Sequence, residues 1–569
     1  MLKRFTALLL AAILLLSLAA CGGSGGNAET AQTNAGVADD GEEYKGEMPI
    51  VKPGDEPITL LIGLKTSGNV TDYKNNDLTK WVEEQTGLNL EFMQFSGTNA
   101  ENATQLALMI ASGERLPDIL GLGGISNIQT LEYGRDGYFI NLAPYFEKYA
   151  YYHKEAFERL FPDDPSVRET MMACSTEPAS GAIYTFPLME NAPTDTPTCH
   201  AWINQTWLDK LGLEMPRTIE ELHDVLVAFR DKDPNGNGKQ DEIPMIGKAD
   251  SAYTDVLRLF VNAYLYWNYR YHFNVGEDGR LYTPYTEDEY RQALITASDF
   301  VKEGLISTLS WTQSAAELKS LFNPEEGEPE LCGVITGHLT LNVIPGSATL
   351  YDYQPLPPLK AETPKGGYGA RGGYNYENEL RITSDCEHPV EAFKMLDFLC
   401  SDEGFLRCRY GVPGVNWEFI EDEQTTDPRG AKMIRIIGDN AFSTQNNINW
   451  HLTWTINDYN YHITKGNGDE WTTMKSAKSK KNLQNYIDAG QPEKVFTNVA
   501  YTLEENERLA EIQKELTDFI KDRRAQFCTG TMDPRDDAQW QTYLDGLKGL
   551  NYDEWVSIAQ AAYDRMENK

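Results

Sequence analysis

Histidine and cysteine are scarce, eight of each in 569 residues. The histidines show no ligand spacing, and neither an HExxH zinc motif nor a GxxxxGK[ST] phosphate loop occurs. The common sequence-legible zinc hydrolases and nucleotide-binding enzymes are thereby set aside. The cysteines form no CxxC pair, and the seven beyond Cys21 (Cys174, Cys199, Cys332, Cys386, Cys400, Cys408, Cys528) are an odd number. A disulfide framework is excluded, at least one thiol is unpaired, and no bridge is expected even between the nearest pair, Cys400 and Cys408. Positive charge is short as well: 50 Lys and Arg against 86 Asp and Glu leave a net charge of −36. Phosphate backbones are held by Lys and Arg clusters, so DNA, RNA and other polyanions are poor ligands for this chain. Past the first twenty residues no apolar run is long enough to span a bilayer, since spanning takes about 20 residues.

What the chain does have begins at its first residues. Lys3 and Arg4 precede an apolar run from Leu8 to Leu16 that ends in "LAAC", Leu18 to Cys21. A charged start, a short apolar middle and small residues before the cut describe an export signal over 1–20. "LAAC" resembles the lipobox of bacterial lipoproteins, which implies that Cys21 is lipidated and becomes the mature N-terminus on the outer face of the cell membrane. Residues 21–57 continue after Cys21 with "GGSGGNAETAQTNAGVADDGEEYKGEMP" and are small, polar and acidic, a flexible tether. "GGSGG" fits GxSxG, yet no strand precedes that serine and no helix follows it, so it is no nucleophile elbow.

The remaining 510 or so residues, with 41% hydrophobic and 11% aromatic side chains over the whole chain, suffice for two to four folding units. "ITLLIG" from Ile58, the helix-like "TDYKNNDLTKWVEEQTG", "LNLEFMQF", a helix over 101–112 and "LPDILGL" alternate as strand, helix, strand, helix, strand. That order predicts a parallel sheet with ligands at the carboxyl ends of its strands, near "GLGGISN" at 121–127. "GAIYTFPL" (181–188) and "HAWINQTWL" (200–208) read as extended. Thr218 and Glu221 form a capping box ahead of a helix with Leu222, Val225, Leu226 and Phe229 on one face. "ELRITSD" (379–385) reads as a strand, "HPVEAFKMLDFLCSDEG" as a helix, and Leu509, Ile512, Leu516 and Ile520 mark a long C-terminal helix.

The capped helix delivers "DKDPNGNGKQDEIP", 231–244, at its end. Calcium takes six to eight oxygens, and a chain wraps it when alternate side chains point inward and glycines allow the bend. One register starts at Asp231 and matches an EF-hand, with Gly236 sixth and Glu242 twelfth. The preferred register uses Asp233, Asn235, Asn237, the Lys239 carbonyl, Asp241 and Glu242, because Asp233, Asn235 and Asn237 keep strict alternation. All donors come from one short segment, so the expected role is a structural Ca²⁺ staple rather than an active site.

"ASGERLPDIL" (111–120) resembles a signature of the extracellular solute-binding proteins of ABC importers. The run 207–244, together with "YGVPGVNWE" (410–418) and the tail 538–565, resembles the LipO-like branch related to alginate-binding proteins, and the likeness covers nearly the whole mature chain. It implies an α/β, two-lobed, periplasmic-binding-protein-like (type II) fold with hinge-crossing segments and an inter-lobe cleft. It also implies a monomeric, non-enzymatic receptor that delivers its ligand to permease subunits, with calcium in the loop just described. The expected lobes are 58–190 with 378–440, and 191–377 with 441–569.

Sugar sites combine flat aromatic faces with hydrogen-bonding side chains. On that ground Trp202, Trp267, Tyr374, Tyr376, Trp417, Trp450 and Trp454 are the candidate ligand-binding residues. Trp267 lies in "YLYWNYRYH", too dense in rings for one buried face, and Trp450 and Trp454 sit among Asn447, Asn449, His451 and Asn457. An oligosaccharide, neutral rather than uronate given the acidic chain, is the expected ligand. A peptide-binding lipoprotein is the alternative, and a two-carboxylate glycoside hydrolase is a third reading.

Overall fold

The computed structural model describes residues 44–567 except 163, 192–200, 250–253, 322, 326, 338–348, 364, 370–374, 420–431, 438–444, 453, 459–460, 466–477, 479–480, 483 and 487. Cys21, Cys199 and Tyr374 lie outside the described residues, as does the side chain of Tyr376.

The first unit begins β1 (Thr59–Lys65), α1 (Asp77–Thr86), β2 (Asn89–Phe95), α2 (Asn99–Ser112), β3 (Ile119–Gly121), α3 (Asn127–Arg135), and continues through α4 (Ser166–Ser175) to β4 (Phe186–Asn191). Leu60, Ile62 and Leu64 alternate along β1 and are fully buried, as a strand with a covered face requires. Asn76 caps α1, accepting from Leu78 N at 3.0 Å, while Thr98 with Glu101 and Ser126 with Gln129 make capping boxes on α2 and α3. The 71–76 stretch expected as helix is consumed by this cap and its approach.

The second unit carries β5 (Ala201–Asn204), α5 (Ile219–Asp231), β6 (Ile243–Ile246), α6 (Val256–Tyr264), β7 (Cys332–Thr336) and β8 (Tyr353–Pro355). "HAWINQTWL" is extended only to Asn204, whose side chain accepts from Trp207 N at 3.0 Å and turns the chain into a helix at 205–211. The chain then returns to the first unit through β9 (Asn375–Ile382), α7 (Pro389–Leu399) and β10 (Asn457–Asp458), and ends on helices that include α8 (Leu503–Thr529).

The first sheet runs β10-β4-β9-β3-β1-β2, with β1 parallel to β2 and β3, and β9 antiparallel to β3 and β4. The second runs β8-β5-β7-β6, with β6 parallel to β7. Each sheet has its own core: Leu60, Phe146, Phe186, Phe393 and Trp450 in the first, and Phe229, Phe260, Leu294, Leu516 and Phe527 in the second. Two α/β lobes with separate cores, crossed by the chain after β4, β8 and β10, are thus present. The predicted faces of α5 and α8 are the buried ones.

Two boundaries differ from expectation. Asn446 N donates to Asn69 O at 2.8 Å, Asp77 N donates to Asn447 O at 2.8 Å, and Trp450 and Trp454 enter the first core. The first lobe therefore extends to β10 instead of ending near 440. The tether is also shorter than 21–57: Tyr44 and Met48 pack on the first core, and Tyr152 Oη donates to Gly46 O at 2.9 Å.

Candidate functional site

The carboxyl end of β3 opens into the expected loop 122–126, which leads to the N-terminus of α3. Across from it lies α8 of the second lobe. Between them is a crevice of about 330 Å³, lined by Ser126, Asn127 and Thr130 on one side and by Asn498, Asn506 and Gln513 on the other. Amides and hydroxyls stand on both walls among the apolar Ile128, Leu131, Val499 and Leu509, a mixture that offers hydroxyl contacts and apolar faces to a ligand.

The floor of the crevice is held from behind by Arg381 on β9. It is buried and donates to Leu122 O at 3.4 Å, Glu379 O at 2.9 Å and Thr130 Oγ1 at 3.0 Å. Burial pushes its pKa down to about 10, against the opposing pull of Glu379. Two of these acceptors, Leu122 O on the loop and Thr130 Oγ1 on α3, are thereby fixed relative to each other; the third lies on β9 itself. At the far end of α3, Arg135 reaches Glu177 at 3.1 Å in its own lobe and Glu504 of α8 at 3.7 Å. Burial raises the Glu177 carboxyl, but hydrogen bonds from Ser180 and Arg135 outweigh it and hold the group below its ordinary value. Cys174 Sγ donates to Asn498 O at 2.9 Å, a second link across the lobes.

A polar shelf continues along the strand ends of the first lobe. Lys65 Nζ donates to Asn99 Oδ1 at 2.8 Å, Asn69 Nδ2 lies 3.0 Å from His451 Nε2, and Thr71 Oγ1 donates to Asn447 Oδ1 at 2.6 Å. Of the polar residues around Trp450 and Trp454, Asn447 and His451 belong to this shelf, Asn449 is buried with its amide on Cys408 O at 2.7 Å, and the two indoles turn away from it.

The five described tryptophan candidates, Trp202, Trp267, Trp417, Trp450 and Trp454, are at most 4% exposed, so as sugar platforms they are corrected to core side chains. Trp202 Nε1 donates to Gly337 O at 2.7 Å, Trp417 Nε1 to Gly411 O at 2.9 Å, and Trp450 Nε1 to Thr79 Oγ1 at 2.8 Å. The indole N–H, which suits a ring half exposed at a binding face, is spent on buried acceptors instead. Trp454 lies flat against β3, where a Cβ on Gly121 would come within 2.0 Å of its Cζ2. Around Trp267 the crowding argument holds in its weaker form: Tyr264, Tyr269 and Tyr271 are partly exposed, while Trp267 is buried. Sequence reasoning passed over Trp311, which alone among the described tryptophans is not buried. Its neighbours "LSWTQ" carry no pattern that would have flagged it.

The oxygen-rich loop leaves α5 and enters β6, the edge strand of the second sheet. Asp233 takes the left-handed conformation at φ 46°, with Gly236 and Gly238 at 76° and 75°. The Asp233 carboxylate accepts from Gly236 N and Gly238 N, both at 3.0 Å, and Asp241 accepts from Asn235 Nδ2 at 3.1 Å and Asn237 Nδ2 at 3.0 Å. Those amides hold the Asp241 carboxyl below its ordinary value. Glu242 has weaker support: both its oxygens are shielded from solvent, and no well-formed hydrogen bond reaches either. Burial raises its carboxyl, the charges of Asp233 and Asp241 add to the shift, and the backbone N–H groups of Glu242 and Asn235 oppose it. An orphaned carboxylate that feels the charges of two others is what a bound cation would complete. Among the described residues no three His, Cys, Asp or Glu side chains are gathered in a metal-ligating group; six donors are reached only by counting the Asn amides and the Lys239 carbonyl.

The six described cysteines beyond Cys21 are buried and unbridged, Cys400 and Cys408 included. No described helix is long and apolar enough to cross a membrane.

Comparison with known proteins places this architecture. Residues 67–404 match the family described as bacterial extracellular solute-binding protein. The fructooligosaccharide ABC transporter substrate-binding protein FusA of Streptococcus pneumoniae serotype 4 is 24% identical over 494 residues, 85% of this chain and 86% of its own. Lipoprotein LipO of Bacillus subtilis is 36% identical over 110 residues, 18% of this chain and 20% of its own. Among solved structures, an EF-hand mutant of FusA with fructo-nystose superposes with a TM-score of 0.65 at 22% identity, covering 90% of this chain and 100% of that one. The alginate-binding protein AlgQ2 without calcium ion gives 0.58 at 22% identity, covering 90% and 98%. Two lobes, a crevice at the strand ends and this match over more than half its length make the chain a member of the bacterial extracellular solute-binding protein family, with the periplasmic-binding-protein-like fold.

Proposed function

We propose that this protein is the lipid-anchored receptor of an ABC importer, capturing an oligosaccharide between its lobes and presenting it to permease subunits without altering it. The observation that carries this reading is the inter-lobe crevice, with amide and hydroxyl side chains on both walls and bridged by Arg135 to Glu504 and Cys174 to Asn498. Such a joint closes by small rotations of whole lobes rather than by remodelling either core. A net charge of −36 favours a neutral glycan over a polyuronate. Lipidation at Cys21 would hold the chain at the outer face of the cell membrane, each buried methylene contributing roughly 0.8 kcal/mol. The body is expected to act as a monomer. Tyr376 remains a candidate contact, because β9 begins at the mouth of the first sheet.

The chemistry asked of the protein is positional. Ser126, Asn127, Thr130 and Gln513 would bind hydroxyls, Arg381 would keep the wall in register, and lobe closure would exclude water. We infer further that Asp233, Asn235, Asn237, Lys239, Asp241 and Glu242 hold a structural Ca²⁺, which supplies the countercharge that Glu242 lacks.

A thermal-shift screen of neutral oligosaccharides against basic peptides tests the reading. Stabilisation by a glycan that is recovered unchanged is the expected result. Stabilisation by basic peptides alone would favour the peptide-binding alternative, and a glycan returned cleaved would make the protein a hydrolase.

A further inference from the structure

The carboxyl end of β6 carries a second, smaller pocket of about 160 Å³ in the second lobe. Its wall includes Trp311, partly buried against the second core, together with Lys248, Thr312, Gln313, Lys521 and Arg524. The volume is close to that of the roughly 150 Å³ cavity known to admit a benzene ring, a space of single-ring size. Trp311 closes a short helical turn at 308–311, and the turn is fixed to the strand end: Gly247 N donates to Ser310 Oγ at 3.1 Å and Ala249 N to Ser310 O at 2.8 Å. Gln313 Nε2 donates to Gly247 O at 2.5 Å, leaving its carbonyl oxygen for another partner. Arg524 is anchored at 2.6 Å on Ala249 O and at 3.0 Å on Asp255.

The pocket and the crevice share α8 as a wall. Gln513 and Arg524 are eleven residues apart on α8, three turns on one stripe, and so about 16 Å from each other. A ligand touching both must be a chain of several rings. A flat indole beside five hydrogen-bonding side chains matches the CH face and the hydroxyl edge of a sugar ring. We propose that this pocket is a terminal sugar subsite, with Trp311 as the stacking face and Lys248, Gln313 and Lys521 as its hydroxyl contacts, so that the captured ligand extends from the crevice along α8. The proposal rests on the oligosaccharide-binding reading and assigns one ring of that ligand.

The test uses the full mature chain labelled with 5-fluorotryptophan, the Trp311 resonance being assigned with Trp311→Phe. Fructo-, gluco-, manno- and galacto-oligosaccharides are titrated to millimolar concentration by ¹⁹F NMR, with affinities measured by calorimetry. A glycan that shifts the Trp311 resonance and binds about tenfold more weakly to Trp311→Ala supports the subsite. The Gln313→Ala/Lys521→Ala variant, which leaves the ring in place, should weaken the same glycan and so guards against misfolding of Trp311→Ala. A glycan that binds both variants as it binds the parent, leaving that resonance unmoved, overturns the subsite and leaves the oligosaccharide reading intact. If no member of the panel binds, both fall.

Discussion

Glu242→Gln is the most informative single change. In calcium-free protein its carboxylate is shielded from water, without a well-formed hydrogen bond, and subject to the charges of Asp233 and Asp241. An unsatisfied buried charge of this kind costs about 1–3 kcal/mol. Because the folded group titrates higher than the unfolded one, the associated stability is fully present below the unfolded pKa, about 4.3, and is lost as pH rises through the raised folded value. In EDTA the parent should therefore lose stability over the weakly acidic range, a loss absent from Glu242→Gln. Calcium reverses the order. With a dissociation constant of about 10⁻⁴ M, about 10 mM calcium stabilises the parent by about 2.7 kcal/mol, worth about 5 °C at about 2 °C per kcal/mol for a large domain. The variant lacks the closing carboxylate and should shift by less than about 1 °C. Differential scanning calorimetry of both proteins, with EDTA and with calcium, reads all four values. Equal calcium shifts in parent and variant would refute the ligand set. A parent more stable than the variant in EDTA would refute the orphaned-charge argument.

Three further outcomes follow from buried groups. Arg524→Met strands Asp255, which also caps α6 at 3.0 Å on Leu257 N; urea unfolding should show a loss of about 3–5 kcal/mol, most of it recovered in Arg524→Met/Asp255→Asn. Gly121→Ala drives a methyl into the Trp454 ring, costing about 1–3 kcal/mol, and the loss should vanish in a Trp454→Leu background. Burial, aided by the Arg168 charge, holds His153 down at about 3, so its contribution to stability is present above the unfolded histidine value of about 6.5 and is lost as pH falls below it. Chemical denaturation across that range should show the parent losing stability relative to His153→Gln, and parallel profiles would remove the argument.

Elements carrying their own start signals were readable from sequence. Thr218 with Glu221 and the apolar stripe of α8 are local patterns, and each element is found where its pattern lies. The aromatic candidates were not readable in the same way, because a tryptophan among polar neighbours looks identical whether its ring faces water or turns inward. Trp450 turns inward because Thr79 of α1, 371 residues away, supplies an acceptor for its N–H, and no local rule contains that partner. The same long-range pairing, with 445–458 returning to β4 and Asn69, moved the lobe boundary. Trp311 fails in the opposite sense: nothing in its neighbourhood announces a pocket until the end of β6 and α8 are brought to it.

The two features of the second lobe that the crevice does not contain are joined by one strand. The oxygen-rich loop ends where β6 begins, and the Trp311 pocket opens where β6 ends, four residues and about 13 Å later. β6 is an edge strand, held on one side by β7, with an added contact from Ser307 N to Met245 O at 2.9 Å. An edge strand has half the hydrogen-bonded support of a central one, so the loop before it contributes much of what fixes its position. A cation that orders the loop therefore orders Gly247, Ala249 and the turn carrying Trp311. If the loop holds calcium and the Trp311 pocket a sugar ring, as proposed, linkage requires that calcium strengthen glycan binding and that the glycan strengthen calcium binding by the same factor. Calorimetric titration of each in the presence of the other measures both factors, which should exceed one in the parent and fall to one in Glu242→Gln. A parent factor of one would mean that β6 is rigid without the metal, and that the loop stabilises the lobe without touching recognition.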